Sequence, residues 1–505
     1  MGPRRLVLAL ALLGLGAAAA VALHTGHRVA QIGTGFAAKT VCSAAFLSGR
    51  PPESVQAEDL GAYRSRPLDL VEVDVDRAAG VVTGRLLGFA ERQAVYREGF
   101  GCTLAIGTSV AGLKAAAPKL VPIARGDGVW PEGERVAFEP RAALEQALDE
   151  AFAEPGADPP KRTRAVVVVH RGRIVSERYA QGFGPDTPLP GWSMSKSVVG
   201  ALAGTLVGLG LWRLDAPVSL AAWRVPGDPR AAITLDQLLT MSSGLEFEEA
   251  YRSPLSDVNL MLWAGGDAGG YAAAKRLAHP PGAHWQYASG TTNVLAAAMR
   301  ETLGTAYAAY PRRALFEPLG MSSAVLEPDA SGTFVGSTLM FATARDWARF
   351  GLLFANDGLW NGTRVLPEGW VRYSATPAAA AAARNYGAHW WLKLARPPGA
   401  PPAELPPDTL HAAGHGGQYV SILPSRALVV VRLGHALDEG AWDQEAFVAR
   451  IISAVGNAAQ ARAWTVRFDP GDPDRRLKMR IFSCARPRSR LTLPMTGDPP
   501  VATWS

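Results

Sequence analysis

Ser193 and Lys196 stand three residues apart in the run Gly191-Trp192-Ser193-Met194-Ser195-Lys196-Ser197. Positions i and i+3 share one helix face, so a helical backbone here brings a hydroxyl against an amine. A neutral amine can take the hydroxyl proton and leave an attacking alkoxide. Val198 to Trp212, which follows, is rich in Val, Leu and Ala, as expected of a buried helix with Ser193 at its N-terminus. The positive end of the helix dipole opposes a second positive charge there, which favours a neutral Lys196. The same spacing also suits an ordinary helix start capped by Ser. Two further motifs downstream distinguish the readings.

The first is Trp285-Gln286-Tyr287-Ala288-Ser289-Gly290, ahead of a helix-like stretch from Asn293 to Leu303. A Tyr on a tight loop can serve as a second acid or base if a cation lowers its pKa. Taken alone it reads as a core tyrosine with a satisfied hydroxyl. The second is Gly414-His415-Gly416-Gly417-Gln418-Tyr419, leading into the strand-like Val420-Ser421-Ile422-Leu423. Gly416 and Gly417 would let the backbone approach a bound substrate closely. Taken alone they mark a glycine-rich turn.

In this order the three motifs resemble the signature of the serine β-lactamase and penicillin-binding-protein superfamily. The likeness is greatest to its class C β-lactamase-like branch, with esterases, D-amino-acid peptidases and 6-aminohexanoate-oligomer hydrolases. In that branch the second motif is Tyr-x-Asn or Tyr-x-Ser, and His often replaces the Lys of K-T-G. Tyr287-Ala288-Ser289 and His415-Gly416-Gly417 fit those variants, and Leu238 to Gly244 is similar to the segment between the first two motifs. The resemblance spans Lys161 to Val455. It implies an α+β, β-lactamase/transpeptidase-like fold, an antiparallel sheet flanked by helices with an all-helical subdomain.

Carried over by residue, the resemblance makes Ser193 the nucleophile and Lys196 its activating partner. Tyr287 would shuttle the proton to the leaving group, with its pKa held down by Lys196. The backbone N–H groups of Ser193 and Gln418 would form the oxyanion hole. His415, Gly416, Gly417 and Ser289 would line the substrate. Tyr251 would join them from Glu248-Glu249-Ala250-Tyr251-Arg252-Ser253-Pro254, a run similar to a substrate-proximal loop of the aminohexanoate branch. A mostly neutral His holds a substrate carboxylate poorly near pH 7. An ester or amide is therefore expected over a β-lactam, by an acyl-enzyme route. D,D-peptidase or β-lactamase activity, or non-catalytic binding and sensing of cell-wall peptides, are the alternatives. A further catalytic alternative reads Gly191-Trp192-Ser193-Met194-Ser195 as a G-x-S-x-G nucleophile elbow lacking its last Gly, with His415 as base.

The remaining sequence places this chemistry. Arg4 and Arg5 precede an uncharged apolar run from Leu6 to Leu23, so residues 1–26 read as a signal peptide or membrane anchor. An exported enzyme is expected, periplasmic or anchored in the inner membrane facing the periplasm. Export would permit a disulfide between Cys42 and Cys102, with Cys484 left over. Residues 27–153 form a smaller β-containing module whose clearest strand is Val71-Glu72-Val73-Asp74-Val75-Asp76, with alternation of period two. Three prolines and a glycine between Glu154 and Pro160 mark a linker, and residues 161–455 the hydrolase domain. In that domain Ala165 to Val169 and Ile174 to Tyr179 form one hairpin, Tyr419 to Leu423 and Leu428 to Leu433 another. Together they predict a sheet joined by the domain's two ends, covered by a helix over about 444–455.

The chain of 505 residues has a formal net charge of +6, which raises the question of an anionic partner. Residues 456–505 carry nine Lys and Arg against four Asp and Glu, so nearly all of the excess belongs to this tail, where disorder is expected. No nucleic-acid motif accompanies the charge. No metal-ligand spacing and no phosphate loop is present, so no cofactor is expected. The expected partner is a small ester or amide substrate.

Overall fold

The computed structural model describes residues 3–456 except 64–65, 117–118, 155, 157–158 and 439. Alternation of apolar and acidic residues produces the edge strand Val71–Asp76 of a four-stranded antiparallel sheet. Val81–Leu86, Ala90–Arg97 and Gly101–Leu104 follow it as a simple meander. Against this sheet lies the C-terminal half of a helix running from Pro3 to Phe46. Contact is close where Gly84 meets the Thr34 carbonyl, since a Cβ on Gly84 would come within 2.5 Å of that oxygen.

The helix does not end near residue 26. No proline interrupts the chain between Arg4 and Arg50, and Ala and Leu dominate it, so nothing breaks the hydrogen-bond ladder. The expected division between residues 1–26 and 27–153 therefore falls inside one helix. Leu10, Leu12, Leu13, Leu15, Val21 and Leu23 are exposed on its first half, whereas Phe36, Ala37, Ala38 and Val41 are core. No helix among the described residues is long and apolar enough to cross a membrane.

The second sheet is the predicted one. Its order is Leu410–Gly414, Gln418–Leu423, Leu428–Gly434, Thr163–His170, Arg173–Tyr179, all antiparallel. The two hairpins meet where Val430 faces Val168. Successive side chains of a strand point to opposite faces, and here both faces are apolar. Val167, Val169, Val420, Ile422, Val429 and Val431 enter the main core. Val166, Val168, Leu423, Leu428 and Val430 pack instead with helices Ala142–Phe152 and Gln444–Val455.

That pairing corrects the expected domain boundary. Helix Ala142–Phe152 lies before the 154–160 linker yet covers the hydrolase sheet, so the linker joins a helix to the sheet on which it packs. Residues up to Val455 form one compact unit. Two links tie the amino-terminal helix into it. Cys42 is disulfide-bonded to Cys102, and buried Lys39 donates to Glu327 at 2.5 Å. Glu327 also accepts from Ser43 Oγ at 2.8 Å and from the Cys102 amide at 2.6 Å. The basic tail, with Cys484, lies outside the described residues.

Candidate active site

Ser193 caps helix Met194–Gly208, which is apolar enough to be buried along nearly its whole length. Trp192, just before it, has φ of +48° and turns the chain sharply into the helix. Ser193 remains partly accessible, whereas Lys196 is 1% exposed. The helical spacing does what the sequence requires: Lys196 Nζ is 2.9 Å from Ser193 Oγ. It also lies 3.0 Å from Ser289 Oγ and 3.0 Å from the Ser337 carbonyl.

This arrangement suits a neutral amine. Two N–H bonds can go to Ser289 and Ser337, which leaves the lone pair for the Ser193 proton. Burial pushes the Lys196 pKa down to about 8, while the negative charge of Glu249 opposes that fall. Desolvation is the leading cause of the shift; the helix-dipole argument points the same way.

Glu249 is the principal residue that the motifs did not reveal. Ser289 donates to it twice, from Oγ to Oε1 at 2.5 Å and from its amide to Oε2 at 2.7 Å. With its proton given to Glu249, Ser289 presents a lone pair to Lys196. Ser289 therefore belongs to the proton network rather than to the substrate wall. The available signal was position, since Glu249 sits two residues before Tyr251 in the same loop. Asn293 was missed as well: it brackets Ser337 through two 3.1 Å hydrogen bonds and so fixes the carbonyl that holds Lys196.

Tyr287 lies beside this pair, between Trp391 and Tyr386. Its pKa is raised, not lowered. Burial and the Glu249 charge push it up, and interaction with Ser193 opposes them without prevailing. Lys196 Nζ stands over the ring face, 4.8 Å from its centroid, and does not hold the hydroxyl's pKa down. Tyr287 thus keeps its proton and is suited to donate it.

The third motif forms the tight turn between strands Leu410–Gly414 and Gln418–Leu423. A Cβ on Gly414 would fall 2.2 Å from the Gly191 carbonyl, so this turn packs directly on the approach to Ser193. Gln418 opens the strand that leaves this turn, and its side chain braces the turn through Gly416 and Gly434. Gly416 and Gly417 have φ of +72° and +79°, which the turn demands. Gly417 also leaves room for Arg432, which donates to its carbonyl at 2.5 Å. The glycines serve the turn and Arg432, and the side chain that this motif sends among Trp192, Tyr251 and Tyr63 is His415.

His415 is stacked on Tyr251, with ring centroids 5.2 Å apart, and Trp192 meets it edge-on at 5.1 Å. Enclosure by these rings pushes its pKa down to about 4, so it is neutral at physiological pH. The Tyr251 hydroxyl is buried near Ser289 and Thr338 but makes no hydrogen bond of good geometry. Among the described residues it is a donor without a fixed acceptor, close to Ser289 of the proton network.

A sequence model of the beta-lactamase family matches residues 148–451. The chain belongs to the beta-lactamase family. A curated relative, the 6-aminohexanoate-dimer hydrolase of Paenarthrobacter ureafaciens, is 28% identical over 238 residues, 45% of this chain and 58% of the relative. The chain thus matches little more than half of that relative's length. Among solved structures, a penicillin-binding-protein homologue from Caulobacter crescentus is 17% identical with a TM-score of 0.48. That match covers 63% of this chain and 98% of the other. A D-stereospecific amidohydrolase from Streptomyces is 18% identical with a TM-score of 0.47, covering 61% and 98%.

Membership of the beta-lactamase family agrees with the antiparallel sheet and the Ser-Lys contact. The elbow alternative fails on both counts. Ser193 meets Lys196, whereas the His415 Nε2 is engaged by Tyr63 and its ring lies in an aromatic stack.

Proposed function

We propose that this chain is a serine hydrolase that cleaves an ester or amide bond through an acyl-enzyme. The observation that carries the reading is the 2.9 Å contact between Ser193 Oγ and a buried Lys196 whose remaining N–H groups are already accommodated. Ser193 Oγ attacks the carbonyl carbon and its proton passes to Lys196. The oxyanion forms beside the amides of Ser193 and Gln418. Tyr287 gives its proton to the leaving group and is reprotonated from Lys196, and the acyl-Ser193 ester remains. Water then enters and the same groups work in reverse order.

A neutral His415 favours a substrate without a carboxylate beside the scissile bond, which disfavours penicillins. Tyr251 supplies the donor for a substrate oxygen. The curated relative is named for hydrolysing 6-aminohexanoate dimer, so that amide is a substrate to test alongside simple esters. Export is part of the proposal. Arg4 and Arg5, the exposed apolar half of the first helix and the Cys42–Cys102 disulfide support it. Fractionation of cells expressing the full chain tests it, and recovery in the cytosol would refute export.

Intact-mass spectrometry after exposure to an activated ester and, separately, a penicillin tests the chemistry. An ester adduct that maps to Ser193 and decays, with a stable or absent penicillin adduct, is the expected result. Ser193→Ala should lower turnover at least about a thousandfold while leaving the fold intact. Retained activity in that variant excludes Ser193 as the nucleophile, and absence of any adduct moves the reading to a binding role.

A further inference from the structure

We propose that Tyr63, supplied by the amino-terminal module, is a positioning and specificity-determining residue of the active site. The proposal rests on the hydrolase reading of Ser193. Tyr63 lies at the end of the short turn Gly61–Tyr63, outside the span matched by the family, and no catalytic motif points to it. Its ring lies nearly parallel to that of His415, with centroids 5.9 Å apart and 19° between the planes, and Tyr251 lies nearly parallel to the same imidazole at 5.2 Å and 14°. The Tyr63 hydroxyl is 3.1 Å from His415 Nε2.

That contact selects a tautomer. Burial pushes the Tyr63 pKa up, so the hydroxyl keeps its proton, and His415 Nε2 is the acceptor in reach. Donation from Tyr63 makes Nε2 the acceptor nitrogen of the neutral ring and places the imidazole proton on Nδ1. Phe36 and His435 meet Tyr63 edge-on and hold its ring in place. The module therefore fixes both the orientation and the donor pattern of the side chain that walls the nucleophile.

Behind Tyr63 the molecule is hollow. A cavity lies between the two parts of the fold, lined by Tyr63 itself with Trp192, Trp263 and Phe341, and also by Lys39, Arg50 and Asp59. Trp192 adjoins Ser193 and Tyr63 touches His415, so these two rings stand between the cavity and the catalytic groups. With Tyr63 in place its ring occupies the wall of this cavity. Without its ring, the cavity becomes available to a longer apolar chain.

Two substitutions in the full chain separate the roles, with p-nitrophenyl acetate and p-nitrophenyl octanoate as probes. Tyr63→Phe keeps the ring and removes the hydroxyl. The His415 nitrogen-15 signals should move from a single Nδ1–H tautomer towards an average of the two forms. kcat/KM for the acetate should fall about tenfold, the scale of one lost hydrogen bond. Unchanged imidazole signals overturn the positioning role. Tyr63→Ala should raise the octanoate-to-acetate ratio of kcat/KM about tenfold, the effect of burying roughly two further methylenes. An unchanged ratio overturns the specificity role. If the wild-type protein turns over neither ester and forms no Ser193 adduct, the hydrolase reading fails, while the imidazole signals still decide whether Tyr63 holds His415.

Discussion

Lys196 sets the pH at which this site can work. Its neutral form is the base, and burial brings its pKa down to about 8. The active fraction therefore grows as pH rises through about 8, and kcat/KM should climb to a plateau above it. A profile already flat from pH 6 would show that another group activates Ser193. Lys196→Met should lower kcat/KM at least about a thousandfold, because it removes the amine that stands 2.9 Å from Ser193 Oγ and takes its proton. Glu249 acts on the same equilibrium with the opposite sign. Its charge favours protonated Lys196, so Glu249→Gln should move the rising limb to lower pH. The same change weakens the hold on Ser289, so the plateau should fall as well. Paired pH–rate profiles of the two proteins check both effects.

Among elements, the first helix is the unexpected one. It is exposed and apolar at Leu10, Leu12, Leu13, Leu15, Val21 and Leu23 and ends as part of the core, with Gly35 packed so closely on the Trp263 carbonyl that a Cβ there would lie at 2.7 Å. Lys39 and Glu327 are each almost fully buried, so removing one partner strands a charge. Glu327→Ala should destabilise the fold by about 3–5 kcal/mol, measured by urea unfolding. A loss below about 1 kcal/mol would mean that the pair is solvated in solution. Arg432 is a comparable case in the sheet, since burial brings its pKa down to about 10 while four oxygens accept from it. It fixes the turn that carries His415 to the nucleophile.

For the molecule as a whole, the links across the seam predict joint unfolding. The buried Lys39–Glu327 ion pair and the Tyr63–His415 contact connect the amino-terminal module to the hydrolase part of the fold, while the Cys42–Cys102 disulfide ties the first helix to the module's own sheet. Heating should therefore give one transition, at the same temperature by far-ultraviolet circular dichroism and by tryptophan fluorescence. Two separated transitions would show that the module is an independent spacer.

Local pattern was sufficient for much of this. Alternation specified Val71–Asp76, the valine-rich runs specified both hairpins of the hydrolase sheet, and the i, i+3 spacing specified the Ser193–Lys196 contact. Each depends on residues close together in the chain, whose geometry the helix or strand period fixes. Three features depended on tertiary structure. Glu249 reaches Ser289 across 40 residues, Tyr63 reaches His415 across 352, and Glu327 reaches Lys39 across 288. Tyr287 belongs with them, because its raised pKa follows from the rings and carboxylate gathered around it rather than from its motif. The sequence by itself determined which groups could do the chemistry, through spacings that one turn of backbone converts into contacts. Only the tertiary structure decided their protonation and their walls, because burial and charge at a site are set by residues that the chain brings in from far away.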